Sequence, residues 1–258
     1  MVRYNAALQR IARAVKRDID EVIVPLVKQY APEYTADAVT LDGWSDVIAR
    51  ALQFLLGKWA SPVARQAAES IAGEFVRTQV TKNARGRRSF GIDVFGNSQQ
   101  MRNYLDAATY QNATLITSIP SQYLEQVSNI VMANMRAGMR PSYIEAALKQ
   151  QFGVTARRAK MIARDQTAKV QGELNKRKQT AAGFSYFRWV DSHDQRVRHR
   201  HREIADKVTD YGKGVYAWDD LPLSDKGEPI QPGSDYQCRC VAVAVPDFKV
   251  KQFQEGRG

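Results

Sequence analysis

Apolar residues recur at steps of three and four along the first two thirds of the chain. Ile11, Val15, Ile19, Val22 and Leu26 predict one apolar stripe on a helix of about 25 residues, broken by "APEY" at 31–34. A second helical run covers 44–59. A third starts at Pro62, near the first turn where proline is favoured. Glycines 86, 91 and 96 then interrupt the periodicity, which predicts a basic loop or insert over 82–100. Helices resume with "QQMRNYLDAATYQNATLI" and "IPSQYLEQVSNIVMANMRAG", the latter striped by Tyr123, Val127, Ile130, Val131 and Met135 and stopped at Gly138. A short helix from Pro141 is expected to end at Gly153. Another is expected to start at Thr155, as N-cap, and to run to about Gly183.

Beyond Gly183 the pattern changes from helical steps to alternation. "FSYFRWV" predicts a strand with Phe184, Tyr186 and Arg188 on one side. "CRCVAVAV" predicts a second strand, with Cys238 and Cys240 on one face and Arg239, Val241, Val243 and Val245 on the other. The valine face is the better candidate for the core. The expected fold is a predominantly α-helical body with a small C-terminal α+β module. Its segments are an N-terminal helical region at 1–81, the insert at 82–100, a second helical part at 101–182 and the module at 183–258.

Composition narrows the class. With 44% hydrophobic residues in 258, a real core is affordable. No stretch approaches the length of a membrane span, and the first twenty residues read as a helix rather than a signal peptide. Two cysteines do not make a secreted disulfide framework, so a cytoplasmic setting is expected. The formal net charge of +11 favours a polyanion or an acidic protein surface as partner. The strongest basic clusters are Lys82, Arg85, Arg87 and Arg88 in the insert, and Lys176, Arg177 and Lys178 near a helix end. Each is a candidate contact for nucleic acid or a partner, and each also reads as a solvated loop or helix end.

The chemistry sits in the module. Its two cysteines, one residue apart, read as tightly packed free thiols, as half of a metal site, or as a disulfide, which an extended pair at this spacing disfavours. All three histidines, His193, His199 and His201, fall within nine residues, among Asp191 and Asp194. Thiolate and imidazole are zinc ligands, so His201, Cys238 and Cys240 are the candidate metal residues and structural zinc the candidate cofactor. The competing reading is a hydrogen-bonded cluster of Trp189, Asp194, Arg196, Arg198, His201, Cys238, Arg239 and Cys240. In it, His201 or Asp194 ties the arginine-rich segment to the cysteine strand. Histidine beside aspartate also suits a metal-dependent nuclease, but no residue stands out as a nucleophile and no Walker, zincin or dinucleotide motif is present.

In order and spacing, these residues resemble the phage minor head proteins of the Mu F-like and SPP1 gp7-like head morphogenesis group, over about 112–245. The similarity is carried by Asn112, Leu115, Ile116, Ile119, Tyr123 and Gly138, then by Arg158, Ala159, Ile162, Ala163, Arg164 and Thr167. It is most specific in Trp189, Asp194, Arg196, Val197, Arg198 and His201, followed by Pro232 and Cys238-Arg239-Cys240. Many members have a histidine or further cysteines where this chain has Asp235, Tyr236, Arg198 and His201, so a four-ligand zinc set is not carried over. The resemblance implies a non-catalytic minor capsid protein that associates with the portal during head assembly and aids DNA packaging or ejection. Implied partners are the portal, capsid or scaffold proteins and double-stranded DNA without sequence preference, and no membrane. The implied location is the phage head, virion or procapsid, assembled in the bacterial host cytoplasm. A metal-dependent phosphodiesterase and a sequence-independent DNA-binding structural protein are the alternatives.

Overall fold

The computed structural model describes residues 1–30, 44–85 and 98–256. The fold is a mostly helical body followed by a small C-terminal region of helix and strand. The helices are α1 (Val2–Asp18), α2 (Val24–Tyr30), α3 (Trp44–Ala60), α4 (Pro62–Arg85), α5 (Gln99–Arg136) and α6 (Pro141–Ala181). The C-terminal region then runs β1 (Tyr186–Val190), α7 (His199–Asp206), β2 (Val208–Thr209), β3 (Gly212–Lys213), β4 (Val215–Ala217), β5 (Val241–Val245) and α8 (Asp247–Glu255). Two compact units cut across chain order: one comprises Met1–Glu74 with Thr109–Ala163, the other Phe75–Ala108 with Arg164–Gly258. Among the described residues no helix is long and apolar enough to cross a membrane.

In the first unit the N-terminal stripe is shifted from the expected one. A π-helical turn at Ile19–Ile23 joins α1 to α2. The backbone N–H of Val24 reaches the Ile19 carbonyl, five residues back, just before Pro25, which has no N–H to give. The wider turn keeps residues four apart in line. Val15, Ile19, Ile23 and Val27 are therefore the fully buried stripe, with Ile11, Val22 and Leu26 packed at its margin. They meet Ile48, Leu52 and Leu55 of α3, Tyr123, Leu124, Val127 and Val131 of α5, and Ile144 and Leu148 of α6. The Tyr4 hydroxyl donates to Asn112 Oδ1 at 2.9 Å in a buried setting. Tyr4→Phe is expected to cost about 1 kcal/mol. Urea unfolding measures this, and an unchanged midpoint would mean that the bond adds no stability.

Three expected boundaries are absent. Pro120 lies inside α5, which is one helix rather than two. Hydroxyls around it bond back to helix carbonyls, Ser118 to Leu115 at 2.7 Å and Ser121 to Thr117 at 3.3 Å. Gly153 and Thr155 lie inside α6, where the Thr155 hydroxyl donates to the Gln151 carbonyl instead of capping a helix start. Lys82 is on the last turn of α4, not in a loop. Gly138 (φ 66°) and Gly183 (φ 81°) do close α5 and α6, each through a wrapped turn of backbone bonds.

The second unit holds an antiparallel sheet ordered β4-β1-β5, with Trp189 opposite Ala242 and Phe187 opposite Ala244 and Tyr216. Phe187 and Trp189 are fully buried, in keeping with the expected alternation. The second strand departs from expectation: it begins only at Val241, and Cys238, Arg239 and Cys240 precede it. The valines are not its core face, because Val241 is 53% exposed while Ala242 packs with the cysteines and Trp189. Val245 instead joins Val215 and Val250 in a separate small cluster. The Asn175 and Gln179 amides of α6 donate to the Ala242 carbonyl, at 2.7 and 3.0 Å, and so cover the outer edge of β5.

Candidate functional site

Three elements of the second unit converge on the cysteines. The loop 231–240 is seated on α6 through a close approach at Gly172, where a Cβ would lie 2.5 Å from the Pro232 carbonyl oxygen. Asp165 of α6 accepts the backbone N–H of Gln237 at 2.8 Å, holding that residue in the left-handed region (φ 54°). This turn brings the two sulfurs to one side, and the Cys240 N–H donates to Cys238 Sγ at 3.4 Å. The local signal for a strand, alternation over "CRCVAVAV", is overridden here by the turn and its α6 anchor.

The third element is α7. Its first turn carries His201, which is 3% exposed and set edge-to-face on Trp189 at 5.3 Å. His201 Nδ1 lies 3.7 Å from Cys238 Sγ and 3.5 Å from Cys240 Sγ. Its Nε2 lies 3.1 Å from Asp235 Oδ2, and Arg198 holds the same oxygen at 2.9 Å. If Nε2 carries the proton, Nδ1 turns its lone pair to the sulfurs.

The electrostatics separates the two thiols. Cys238 is held well below the ordinary thiol range, first by the hydrogen bond from Cys240, then by His201 and the backbone N–H groups of Gly233 and Cys240. Cys240 is pushed up, first by its hydrogen bond to Cys238, then by burial and by the neighbouring Cys238 charge. His201 is raised, chiefly by its hydrogen bond to Cys238. The buried Trp189 indole N–H opposes the rise at Cys240. The two sulfurs and the imidazole thus share one buried, closely coupled site.

A second tie lies beside the first. Arg239 forms a two-pronged ion pair with Asp194, whose carboxyl is lowered to about 2, mainly by that contact. A group lowered in this way keeps its folded-state advantage above the ordinary carboxylate range and loses it as pH falls through about 2. The Asp194 carboxyl is therefore expected to titrate near pH 2 by ¹³C NMR, and closer to the ordinary carboxylate range in Arg239→Gln. A normal midpoint in the unaltered protein would contradict the pairing. The alternating arginines find separate anions or carbonyls: Arg198 on Asp235, Arg200 on Glu203 and the Leu223 carbonyl, Arg202 on the Asp194 carbonyl. Arg196 lies near Asp194 and helps to lower it.

Trp189, Asp194, Arg196, Arg198, His201, Cys238, Arg239 and Cys240 are all in this neighbourhood. His193 pairs with Asp191 and His199 with Glu203, both largely exposed. Asp235 and Asp165, which orient His201 and the cysteine turn, did not stand out in the sequence. The only hint was that Asp235 occupies a position where resembling proteins often carry histidine. The basic run on α6 is engaged: Lys176 lies over the Trp218 ring at 5.6 Å, Arg177 over Tyr104 at 4.6 Å, and Lys178 donates to the Asn83 carbonyl. Arg87 and Arg88 fall outside the described residues, as does the Arg85 side chain.

His201, Cys238 and Cys240 form a metal-competent group, with ligand atoms all within 4.8 Å of one another. The aspartates of the nuclease reading do not join them: Asp194 is taken by Arg239, and Asp191 pairs with His193. Sulfur and imidazole suit zinc rather than the hard cations common in phosphodiester cleavage.

Against known proteins, a curated protein of Haemophilus influenzae (strain Rd KW20), described as uncharacterized, is 30% identical over 252 residues, 95% of this chain. The chain spans about half, 53%, of that relative's length. No solved structure matches. Residues 125–243, from the middle of α5 to the middle of β5, match the family described as Phage Mu protein F like protein.

Proposed function

We propose that this chain is a non-catalytic minor head protein of a tailed phage, which docks on the portal while the head is assembled. The observation that supports it is the family match over 125–243, a span that contains the whole His201–Cys238–Cys240 site. In this reading the module is a fixed knot, and its role is to hold docking surfaces in place. The burial of His201, Cys238 and Cys240 supports a structural use of groups that in an enzyme would have to meet a substrate. The surplus of eleven positive charges supports an acidic protein surface or packaged DNA as the partner. Any contact with DNA would be through phosphate and without sequence preference. Capsid or scaffold contacts, and effects on packaging or ejection, follow from the same placement in the virion or procapsid.

Co-expression with the portal protein of the same phage tests this. The two are expected to co-elute in sizing and pull-down, and heads made without this chain to assemble or eject poorly. Separate elution and normal heads would overturn the reading.

A further inference from the structure

The cysteine–histidine cluster has a metal-sized gap and an open side. Ideal tetrahedral zinc, with Zn–S near 2.3 Å and Zn–N near 2.05 Å, sets sulfur and nitrogen ligands about 3.6 Å apart. The two sulfur–nitrogen distances are 3.7 and 3.5 Å. Asp235 on the far ring nitrogen is the usual outer partner of a metal-bound imidazole. Among the described residues the group has three ligand atoms and not four. On one side it borders a cavity of about 210 Å³ lined by Arg164, Arg196, Arg198 and Arg239 together with His201 and both cysteines. That is below the roughly 300–1,000 Å³ of ordinary small-molecule sites, so the occupant is small.

Charge defines its sign. Four arginines line the cavity, and among the described residues the carboxylates paired with them are two, Asp194 and Asp235. A divalent ion with two thiolates adds nothing to this surplus. Arg164 forms no ion pair among the described residues, and planar guanidinium groups match oxyanions.

We propose that His201, Cys238 and Cys240 bind a zinc ion whose fourth position opens into this arginine-lined cavity and takes a phosphate oxygen. Each cysteine binds as a thiolate and His201 through its Nδ1 lone pair, so every proton those three ligand atoms carry is released to solvent when the metal enters, and the phosphate displaces a metal-bound water. Inorganic phosphate and a terminal phosphate monoester on a nucleic acid share this chemistry. The inference concerns the module alone and stands whether or not the chain docks on a portal.

Cobalt(II) is the reporter. Full-length protein, purified without a metal-affinity tag and stripped by chelator, is titrated with cobalt. One equivalent is expected to give the thiolate charge-transfer band, and Cys238→Ser to lose most of it. Absence of that band would overturn the metal site itself. The loaded protein is then titrated with inorganic phosphate, and separately with a short oligonucleotide with or without a 5′-phosphate. The d–d bands are expected to shift saturably with inorganic phosphate, with the phosphorylated oligonucleotide, or with both, and the pattern identifies the source. Arg164→Gln, and independently the exposed Arg196→Gln, are expected to weaken the phosphate response about tenfold while leaving the charge-transfer band unchanged. A charge-transfer band with d–d bands that no phosphate moves would overturn the open position while keeping the metal.

Discussion

Replacing His201 with alanine is expected to lower the unfolding free energy by about 3 kcal/mol. The imidazole is buried, packed edge-on against Trp189, and uses both nitrogens, one toward two sulfurs and one toward Asp235. Its removal leaves a void beside a large fully buried indole, and strips the buried Cys238 sulfur of a hydrogen-bonding partner. Asp235 keeps Arg198, so the loss is concentrated at the sulfurs. His199→Ala is the control on the same helix: His199 is 87% exposed at its side chain and, among the described residues, pairs with Glu203 alone, so it is expected to change stability by less than about 0.5 kcal/mol. Urea unfolding, with hydrogen exchange of the β1 and β5 amides, reads both. Equal stability of the two variants would mean that the knot contributes nothing to the fold.

Legibility in the sequence depended on range. Helix faces are set by local periodicity, and the stripes of α1 and α5 were readable to within the shift made by one π turn. Helix ends were less so. Gly153, Thr155 and Pro120 all look like boundaries locally, yet residues buried on either side, Ile119 and Tyr123 in α5 and Leu148 and Ala159 in α6, carry the helices straight through them. The residues of the site were recognisable because cysteine and histidine are rare in this chain, but their geometry was not. An extended strand was expected to align the two cysteines. A left-handed residue at Gln237, tied to Asp165 seventy-two positions away, aligns them instead. Asp235 was overlooked for the same reason: its meaning comes from Arg198 and His201 across 37 and 34 positions of chain.

Gly172→Ala is expected to destabilise the protein by about 2 kcal/mol, although glycine to alanine inside a helix ordinarily stabilises by up to about 1. The new methyl carbon would sit 2.5 Å from the Pro232 carbonyl oxygen and 3.3 Å from Gly233 Cα. Both are backbone atoms, so no side chain can swing aside. The facing glycine is equally constrained, since a Cβ on Gly233 would lie 2.8 Å from the Ala168 carbonyl oxygen. Relief requires the loop 231–240 to lift from α6. That would stretch the Gln237–Asp165 bond and the bond from Gln231 to Glu173, and would carry the cysteines away from His201. Gly57→Ala gives the opposite sign: it lies within α3 with nothing inside 4 Å of its would-be Cβ, and is expected to gain about 0.5–1 kcal/mol. The pair of substitutions has one chemistry and two environments, so the difference in sign isolates the close approach from helix propensity. If both variants gain stability, the loop is free to move away from α6, and the cysteine turn owes its position to some other contact.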